Sequence, residues 1–368
     1  MRKHPLQFRK EEIYDVMTRF RASESASLVG VGSVGKSNLL HHIMDRETIT
    51  HYLGERSQSF YPIMIDPNLL GTTNGESEQF KCWAGYELLM HRMFLALHPF
   101  EMLDSDAQSF AKTYRELQDG TNPLYSYMGL RYFELGLEYF FRRDLQVVFL
   151  FDEFEELLRT MPVKFFQSLR GLRDTHKTQL SFLTFSREPI PILIEKMGLP
   201  QLEIEPFTEL FTDNVYYVGP YNHDDALAMI QSLAKRNTSA HISQDAINFL
   251  LFATGRFAGI MRAGFRELEI LGEISPADLN NNNLIERLAR RTRVRAECET
   301  IWKSLTDTEQ QVLASVIRQS PEEIDDEAER AISLLVQKHL LRVNRNTQTL
   351  QIEPPVFHFY VHSVVFRL

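Results

Sequence analysis

Eight residues near the start of this 368-residue chain, Gly30 to Ser37, restrict its possible folds more than any other segment. They read GVGSVGKS and fit the pattern G-x-x-x-x-G-K-S/T. The apolar segment before them, Ala26 to Val29, predicts a β-strand, and the amphipathic segment Ser37 to Met44 predicts a helix. A glycine-rich turn between a strand and a helix lets backbone N–H groups surround phosphate oxygens at a positive helix end. The segment therefore predicts a phosphate-binding loop for a nucleoside triphosphate.

The loop residues have separate predicted roles. Lys36 would contact the β- and γ-phosphates, and the Ser37 hydroxyl would ligate Mg²⁺. We expect ATP and Mg²⁺ as the ligands. The residues of this segment that we predict to bind the nucleotide are Gly30, Gly32, Ser33, Val34, Gly35, Lys36, Ser37 and Asn38.

Two alternatives compete with this interpretation. Residues 30–35 also fit G-x-G-x-x-G, the dinucleotide fingerprint, which needs an acid after a second strand. Asp66 follows the apolar segment Tyr61 to Ile65, but it lies later than the usual spacing of about 20 residues. That motif also leaves Lys36 and Ser37 unexplained. The other alternative is a glycine-rich turn without a ligand, and we favour triphosphate binding over both.

A second motif supports the first. Val147 to Phe151 is a continuous apolar run, as expected for a strand buried on both faces of a parallel sheet. Asp152 and Glu153 follow at its carboxyl end, where ligands bind in open α/β sheets. Asp152 would join Ser37 in orienting Mg²⁺, and Glu153 would act as general base on the attacking water. This is a Walker B pattern.

Composition and charge limit the other possibilities. The net charge of −9 argues against nucleic-acid binding driven by overall charge, although a local basic patch is compatible with it. Cys82 and Cys298 lie far apart, so we expect no disulfide scaffold and a reducing cytoplasmic location. We predict no signal peptide and no membrane-spanning segment.

Three arginines after the second motif have two interpretations each. Arg187 follows the predicted strand Leu180 to Ser186 and would either stabilise the γ-phosphate or begin a surface loop. Arg170 and Arg173 lie three apart on a predicted helix. One of them would serve a neighbouring subunit as an arginine finger, or both would pair with surface acids.

The second half of the chain predicts two further domains. We place an ATPase domain at 1–218, a helical lid at 219–296 and a winged-helix domain at 297–368. Thr306 and Glu309 form a predicted capping box. A turn at 319–321, a recognition helix at 328–339 and a wing hairpin from Leu341 to Ile352, with its turn at 344–347, are predicted to follow. The acids between Glu322 and Glu329 would repel phosphates, so we favour a protein-packing role for this module.

One basic cluster lies at the end of the predicted lid. If residues 284–296 form one helix, four arginines lie on one of its faces: Arg287, Arg290, Arg291 and Arg295. This basic face would contact nucleic acid or the nucleotide of a partner. The alternative is a solvated helix face that surrounding acids balance.

Taken together, these motifs resemble the STAND and archaeal-type ATPases of the AAA+-related P-loop proteins. The resemblance implies an α/β parallel sheet with helices on both faces, a helical lid and a winged helix. It also implies that Lys36 and Ser37 bind phosphate and Mg²⁺, that Asp152 and Glu153 serve hydrolysis, and that Arg187 matches the sensor arginine. We therefore expect Glu153, Lys36 and Arg187 to be the catalytic residues. The lid stretch Gly255 to Gly259 lacks the proline common in that family. Arg256 or Arg262 would substitute as a second sensor, and we include Arg262 among the nucleotide-binding residues.

These features predict an ATP-binding and ATP-hydrolysing molecular switch. ATP and ADP would exchange at the site and control assembly with a protein partner or with further copies of the chain. One alternative is a DNA-binding loader whose ATPase is stimulated by DNA, which salt-dependent DNA binding would favour. Another is a nucleotide-dependent scaffold with negligible turnover, which tight ATP binding without phosphate release would favour.

Overall fold

The computed structural model describes residues 4–71, 75–97, 105–119, 125–236, 242–319, 325–344 and 349–367. The turns predicted at 319–321 and 344–347 extend outside these residues. The chain divides into two compact units. The sheet unit comprises Met1–Val29 and Leu39–Tyr216, and the C-terminal unit comprises Gly30–Asn38 and Tyr217–Leu368. The phosphate-binding loop is therefore grouped with the C-terminal half of the chain.

The sheet unit is built on a five-stranded parallel sheet of order β2-β3-β4-β1-β5. The register of the parallel pairs places Val29 beside Ser186, Ile65 beside Phe151 and Phe151 beside Thr184. The predicted α/β fold class is confirmed. The strands are β1 (Ala26–Val29), β2 (Phe60–Ile65), β3 (Gln146–Phe151), β4 (Leu180–Ser186) and β5 (Val215–Tyr217).

The strand order bears on the dinucleotide alternative. In a dinucleotide-binding sheet, the fingerprint strand lies beside the strand that ends in the acid. Here β3 and β4 lie between β1 and β2. Asp66, after β2, accepts hydrogen bonds from the backbone and side chain of Asn68 instead. The sheet order therefore argues against the dinucleotide interpretation.

Phenylalanines fill the core of the sheet unit. Every residue of β4 is buried, as expected for the central strand of a parallel sheet. Phe149 and Phe182 stack with ring centroids 6.5 Å apart, and Phe166 packs on Phe207 at 5.3 Å. The helices are α1 (Lys10–Arg21), α2 (Lys36–Ile43), α3 (Arg46–Leu53), α4 (Glu78–Ala96), α5 (Ser105–Gln118), α6 (Tyr125–Phe141), α7 (Phe154–Thr160), α8 (Val163–Thr175), α9 (Ile190–Met197) and α10 (Gln201–Thr208). Short 3₁₀ turns cover Gly54–Ser59, Pro67–Leu69 and Glu209–Phe211.

The described residues of the C-terminal unit form helices and one antiparallel strand pair, β6 (Leu341–Asn344) with β7 (Thr349–Ile352). The predicted hairpin at Leu341 to Ile352 is thus confirmed. The helices are α11 (His223–Arg236), α12 (Gln244–Ala253), α13 (Ala258–Phe265), α14 (Leu268–Leu271), α15 (Asn282–Ala289), α16 (Thr292–Ser304), α17 (Asp307–Arg318), α18 (Asp326–Gln337) and α19 (Pro355–Val365). A 3₁₀ turn covers Pro276–Asp278.

The predicted capping box begins α17. The Thr306 hydroxyl accepts from the Glu309 backbone N–H at 3.2 Å, and Glu309 accepts from the Thr306 N–H at 2.9 Å. Glu309 also accepts a 2.6 Å hydrogen bond from Lys338, and both side chains of this ion pair are fully buried. One glutamate therefore caps α17 and ties it to the end of α18.

The basic cluster does not lie on one helix, so that prediction is wrong. α15 ends at Ala289 and α16 begins at Thr292, which leaves Arg290 and Arg291 in the connection. The apolar positions explain the break. Leu288 and Val294 are both fully buried but lie six residues apart, a spacing that would place them on different faces of a single helix. The predicted domain boundary at 296/297 falls inside α16.

Each unit contains one buried cysteine. Cys82 lies on α4 of the sheet unit, and burial raises its pKa to about 11. Cys298 lies on α16 of the C-terminal unit, where burial also raises the thiol pKa strongly. Of the helices that the structure describes, none has the length and apolar character needed to span a bilayer.

Candidate functional site

The phosphate-binding loop has the backbone that anion binding requires. Ser33 and Gly35 have positive φ angles of 68° and 95°, and α2 begins at the next residue, Lys36. Left-handed residues at alternating positions turn neighbouring N–H groups towards one side and form an anion-binding concavity. A side chain at Gly35 would also be only 3.0 Å from the Tyr221 hydroxyl. Glycine is therefore required at this position by both conformation and space.

The side chains of the loop supply further donors. The Lys36 ammonium donates to the carbonyl of Gly30 and lies 3.4 Å from that of Val31. Ser37 is exposed in the first turn of α2, and Val34 is fully buried. This donor set, with its backbone concavity, fits the phosphates of a nucleotide and leaves one hydroxyl for a metal ion.

Distant parts of the C-terminal unit hold the loop. The Ser33 hydroxyl donates to the Glu297 carboxylate on α16, and the Gly259 N–H at the start of α13 donates to the Ser33 carbonyl at 2.7 Å. The Asn38 amide donates to the Tyr221 hydroxyl at 2.9 Å. Gly30 and Gly32 pack closely on Val218 and Thr300, respectively.

Sequence reasoning missed most of these partners. Gly259 belongs to the lid stretch that the family resemblance singled out, but no motif marks Glu297, Thr300 or Tyr221. Arg262 is exposed on α13, and among the described residues no hydrogen bond or ion pair joins it to the loop. Its role as second sensor stays a prediction.

The predicted catalytic acids lie in the sheet unit, at the carboxyl end of β3. Glu153 adopts a left-handed conformation with φ 44°, and its N–H donates to the Asp152 carboxylate at 3.0 Å. The Asn68 amide donates to the Glu153 carboxylate at 2.9 Å. Asp66 in turn accepts from the same Asn68 amide at 3.0 Å. Asn68 therefore orients Glu153, although no motif in the sequence marks it.

Arg187 completes this acid cluster, which we define as Asp66, Asn68, Asp152, Glu153, Glu155 and Arg187. Its guanidinium lies 3.7 Å from the Glu153 carboxylate and 3.3 Å from that of Glu155. The cluster lies at the carboxyl ends of β2, β3 and β4, where open parallel sheets bind their ligands. Arg187 is 43% exposed, so it also remains accessible to an anion.

The two arginines proposed as fingers both have partners within the sheet unit. Arg170 pairs with Asp174 at 2.8 Å and with Glu209 at 3.5 Å. Arg173 donates to the Ser23 carbonyl at 2.7 Å, and burial lowers its pKa. Pairing with surface acids is thus confirmed for Arg170, whereas Arg173 has a structural role at the Ser23 carbonyl.

The chain matches no protein-family model. It also matches no curated protein. Its structure is similar to that of a Walker-type ATPase of Pyrococcus abyssi, at 15% identity, with 96% of this chain and 95% of that chain covered and a TM-score of 0.52.

Two further solved structures are similar at lower scores. The ORC2 protein of Aeropyrum pernix, in ADPNP–ADP complexes, has 10% identity, with 98% of this chain and 93% of that chain covered and a TM-score of 0.47. Cdc6p of Pyrobaculum aerophilum has 12% identity, with 99% and 96% covered and a TM-score of 0.42. At such identities the likeness to the P. abyssi structure shows a shared fold.

Proposed function

We propose that this protein binds ATP and hydrolyses it. The observation that carries the proposal is the left-handed backbone of the loop at Ser33 and Gly35, directly followed by Lys36 and α2. The shared fold with a Walker-type ATPase supports it. Loop N–H groups and Lys36 would hold the phosphates.

The acid cluster would supply the hydrolytic groups. Glu153, oriented by Asn68, would accept the proton of the attacking water. Arg187 would offset negative charge that develops on the transferred phosphoryl group. Ser37 and Asp152 would hold Mg²⁺, which neutralises phosphate charge when bound.

We further propose that ATP binding acts as a switch on the C-terminal unit. The Ser33 hydroxyl that a phosphate would use donates to the Glu297 carboxylate of α16. A phosphate at the loop and a carboxylate beside it repel each other, so ligand binding favours a displaced Glu297. A helical lid and a winged-helix module would transmit this change to a protein partner or to another copy of the chain. We place this switch in the cytoplasm.

The test is ATP binding and phosphate release by the wild type, Lys36→Ala and Lys303→Ala. Lys303 is an exposed lysine on α16, 2.6 Å from Glu299, and serves as the matched control. We expect ATP binding to be lost in Lys36→Ala alone. Absence of ATP binding by the wild type would contradict the proposal.

Turnover distinguishes the remaining alternatives. Hydrolysis that rises with duplex DNA would favour the loader. ATP bound through Lys36 without phosphate release would favour the scaffold or a switch that needs its partner.

A further inference from the structure

A cavity of about 510 Å³ lies among α15, α16 and α19 of the C-terminal unit. Its volume is within the range of small-molecule sites, roughly 300–1,000 Å³. None of its lining residues belongs to the phosphate-binding loop or to the acid cluster. The lining includes Glu286, Arg290, Arg295, Phe359, Tyr360 and Ser363.

The cavity brings together two guanidinium groups from different elements. Arg290 follows α15 and Arg295 lies on α16, so the break between these helices turns both towards one space. Arg290 pairs with Glu286 at 2.6 Å, and Glu286 is the one acid in the lining. Two arginines against one glutamate leave the lining with a net positive charge in a chain of net charge −9, and this local charge favours an anion. Guanidinium groups match phosphate oxygens particularly well.

The floor of the cavity is aromatic. Arg295 lies over the Tyr360 ring with its Cζ 5.8 Å from the centroid, an arrangement that orients the guanidinium. Tyr360 is buried, and burial raises its pKa to about 12, so the hydroxyl stays protonated and able to donate. Phe359 and Tyr360 offer apolar ring surface beside the charges, and Ser363 and His362 add polar groups at the same space.

We propose that this cavity binds a nucleotide unit, with its phosphate at Arg290 and Arg295 and its base against the aromatic side chains. In a nucleotide, the phosphate would pair with the arginines and the planar base would pack against the aromatic rings. The unit belongs either to a free mononucleotide or to a single strand. An incoming phosphate would replace Glu286 as the partner of Arg290.

Helix α16 connects the cavity to the phosphate-binding loop, where we propose the ATP switch. Arg295 lines the cavity, while Glu297, two residues later on α16, accepts from Ser33 of the loop. Residues two apart point to different sides of a helix. One helix therefore carries both the cavity arginine and the carboxylate at the loop.

The test uses two probes on the full chain: AMP, followed by calorimetry, and a fluorescein-labelled 12-nucleotide oligothymidylate, followed by polarisation. AMP lacks the phosphates that Lys36 would contact. The variants are Arg295→Ala, which removes one guanidinium, and Ser363→Asp, which adds a negative charge to the cavity. Arg293→Ala is the matched control, because Arg293 lies on the same helix, is exposed and is outside the lining.

We expect Arg295→Ala and Ser363→Asp each to weaken binding about tenfold or more, as for loss of a charge-assisted hydrogen bond. Arg293→Ala and Lys36→Ala should stay within about twofold of the wild type. For the oligonucleotide, the salt dependence should also become shallower by about 0.7 per lost phosphate contact. Thermal melting of each variant confirms that it is folded.

The two probes identify the source of the nucleotide. Binding of AMP alone indicates a free mononucleotide, and binding of the oligonucleotide indicates a strand. Unchanged binding in both cavity variants, or no binding of either probe to the wild type, would overturn the proposal. Either result leaves ATP binding through Lys36 untouched, because that is measured separately.

Discussion

The phosphate-binding loop and the acid cluster are held in opposite ways. The loop depends on partners far along the chain: Ser33 and Glu297 are 264 residues apart, and Asn38 and Tyr221 are 183 apart. The acid cluster is held by side chains at the ends of adjacent strands of its own sheet, such as Asn68 beside Glu153. The acids are thus fixed by the scaffold. The loop is held by side chains and backbone groups of the helical C-terminal unit, such as Glu297 and Gly259.

Because the two regions are held differently, we expect substitutions in them to have different effects. Changes in the acid cluster should alter the rate of hydrolysis with little effect on ATP affinity. Changes around the loop should alter stability or affinity.

Glu153→Gln should lower kcat for ATP hydrolysis by about 10²–10⁴-fold, because the amide cannot accept the water proton. ATP affinity should change little. The matched control is Glu156→Gln, three residues along α7, where the carboxylate is exposed and pairs with Arg159. Steady-state phosphate release measures both. An equal fall in kcat for the two variants would contradict the proposed role of Glu153 as general base.

Gly259→Ala should destabilise the C-terminal unit by about 1–3 kcal/mol, as expected for overpacking. The new Cβ would overlap the Glu297 carboxylate and lie 2.8 Å from the Ser33 Cβ. Gly171→Ala, on α8 of the sheet unit, is the control, because nothing lies within 4 Å of its Cβ position. Urea unfolding should show Gly171→Ala as neutral or stabilising. An unchanged urea midpoint for Gly259→Ala would mean that Ser33 and Glu297 move to make room for the new methyl group at little cost in free energy.

Glu297→Gln should raise ATP affinity about tenfold, because it removes a negative charge that competes with the phosphates. Glu299→Gln on the same helix, where Glu299 is exposed and pairs with Lys303 at 2.6 Å, should have little effect. Calorimetric titration with ATP measures both. Weaker binding by Glu297→Gln would instead make Glu297 a residue that assists the bound nucleotide.

Asn68→Ala should have the smallest effect, a fall in kcat of about threefold with KM unchanged, because one exposed hydrogen bond to Glu153 is lost. Asn68→Asp places a second carboxylate beside Glu153, and repulsion between the two like charges should shift the pH–rate profile of hydrolysis to higher pH. An unshifted pH–rate profile in Asn68→Asp would argue against the positioning role.

The two regions also differ in how far the sequence predicted them. β1, the loop, β3 and the acids Asp152 and Glu153 follow from local patterns, because a strand end and a glycine-rich turn each leave a short signature. The α/β fold class follows from the same patterns. The accompanying Asn68 has no such signature, since its role depends on which strands are neighbours.

Non-local contacts account for what the sequence did not reveal. Residues 284–296 look like one basic helix when read alone, yet the burial of Leu288 and Val294 divides them into α15 and α16. The same division creates the cavity that Arg290 and Arg295 line. Glu297 is an ordinary helical glutamate in the sequence, and only the packing of α16 brings it to Ser33.

The two buried cysteines make it possible to measure local opening of each unit by chemical labelling. Alkylation requires an accessible thiolate, and burial withholds both accessibility and ionisation from Cys82 and Cys298. Each thiol should therefore react only when its own unit opens locally. Cys298 directly follows Glu297, so its labelling rate reports on α16, while Cys82 provides an internal reference. Mass spectrometry of the two modified peptides, with and without ATP, would follow both units in one unmodified protein.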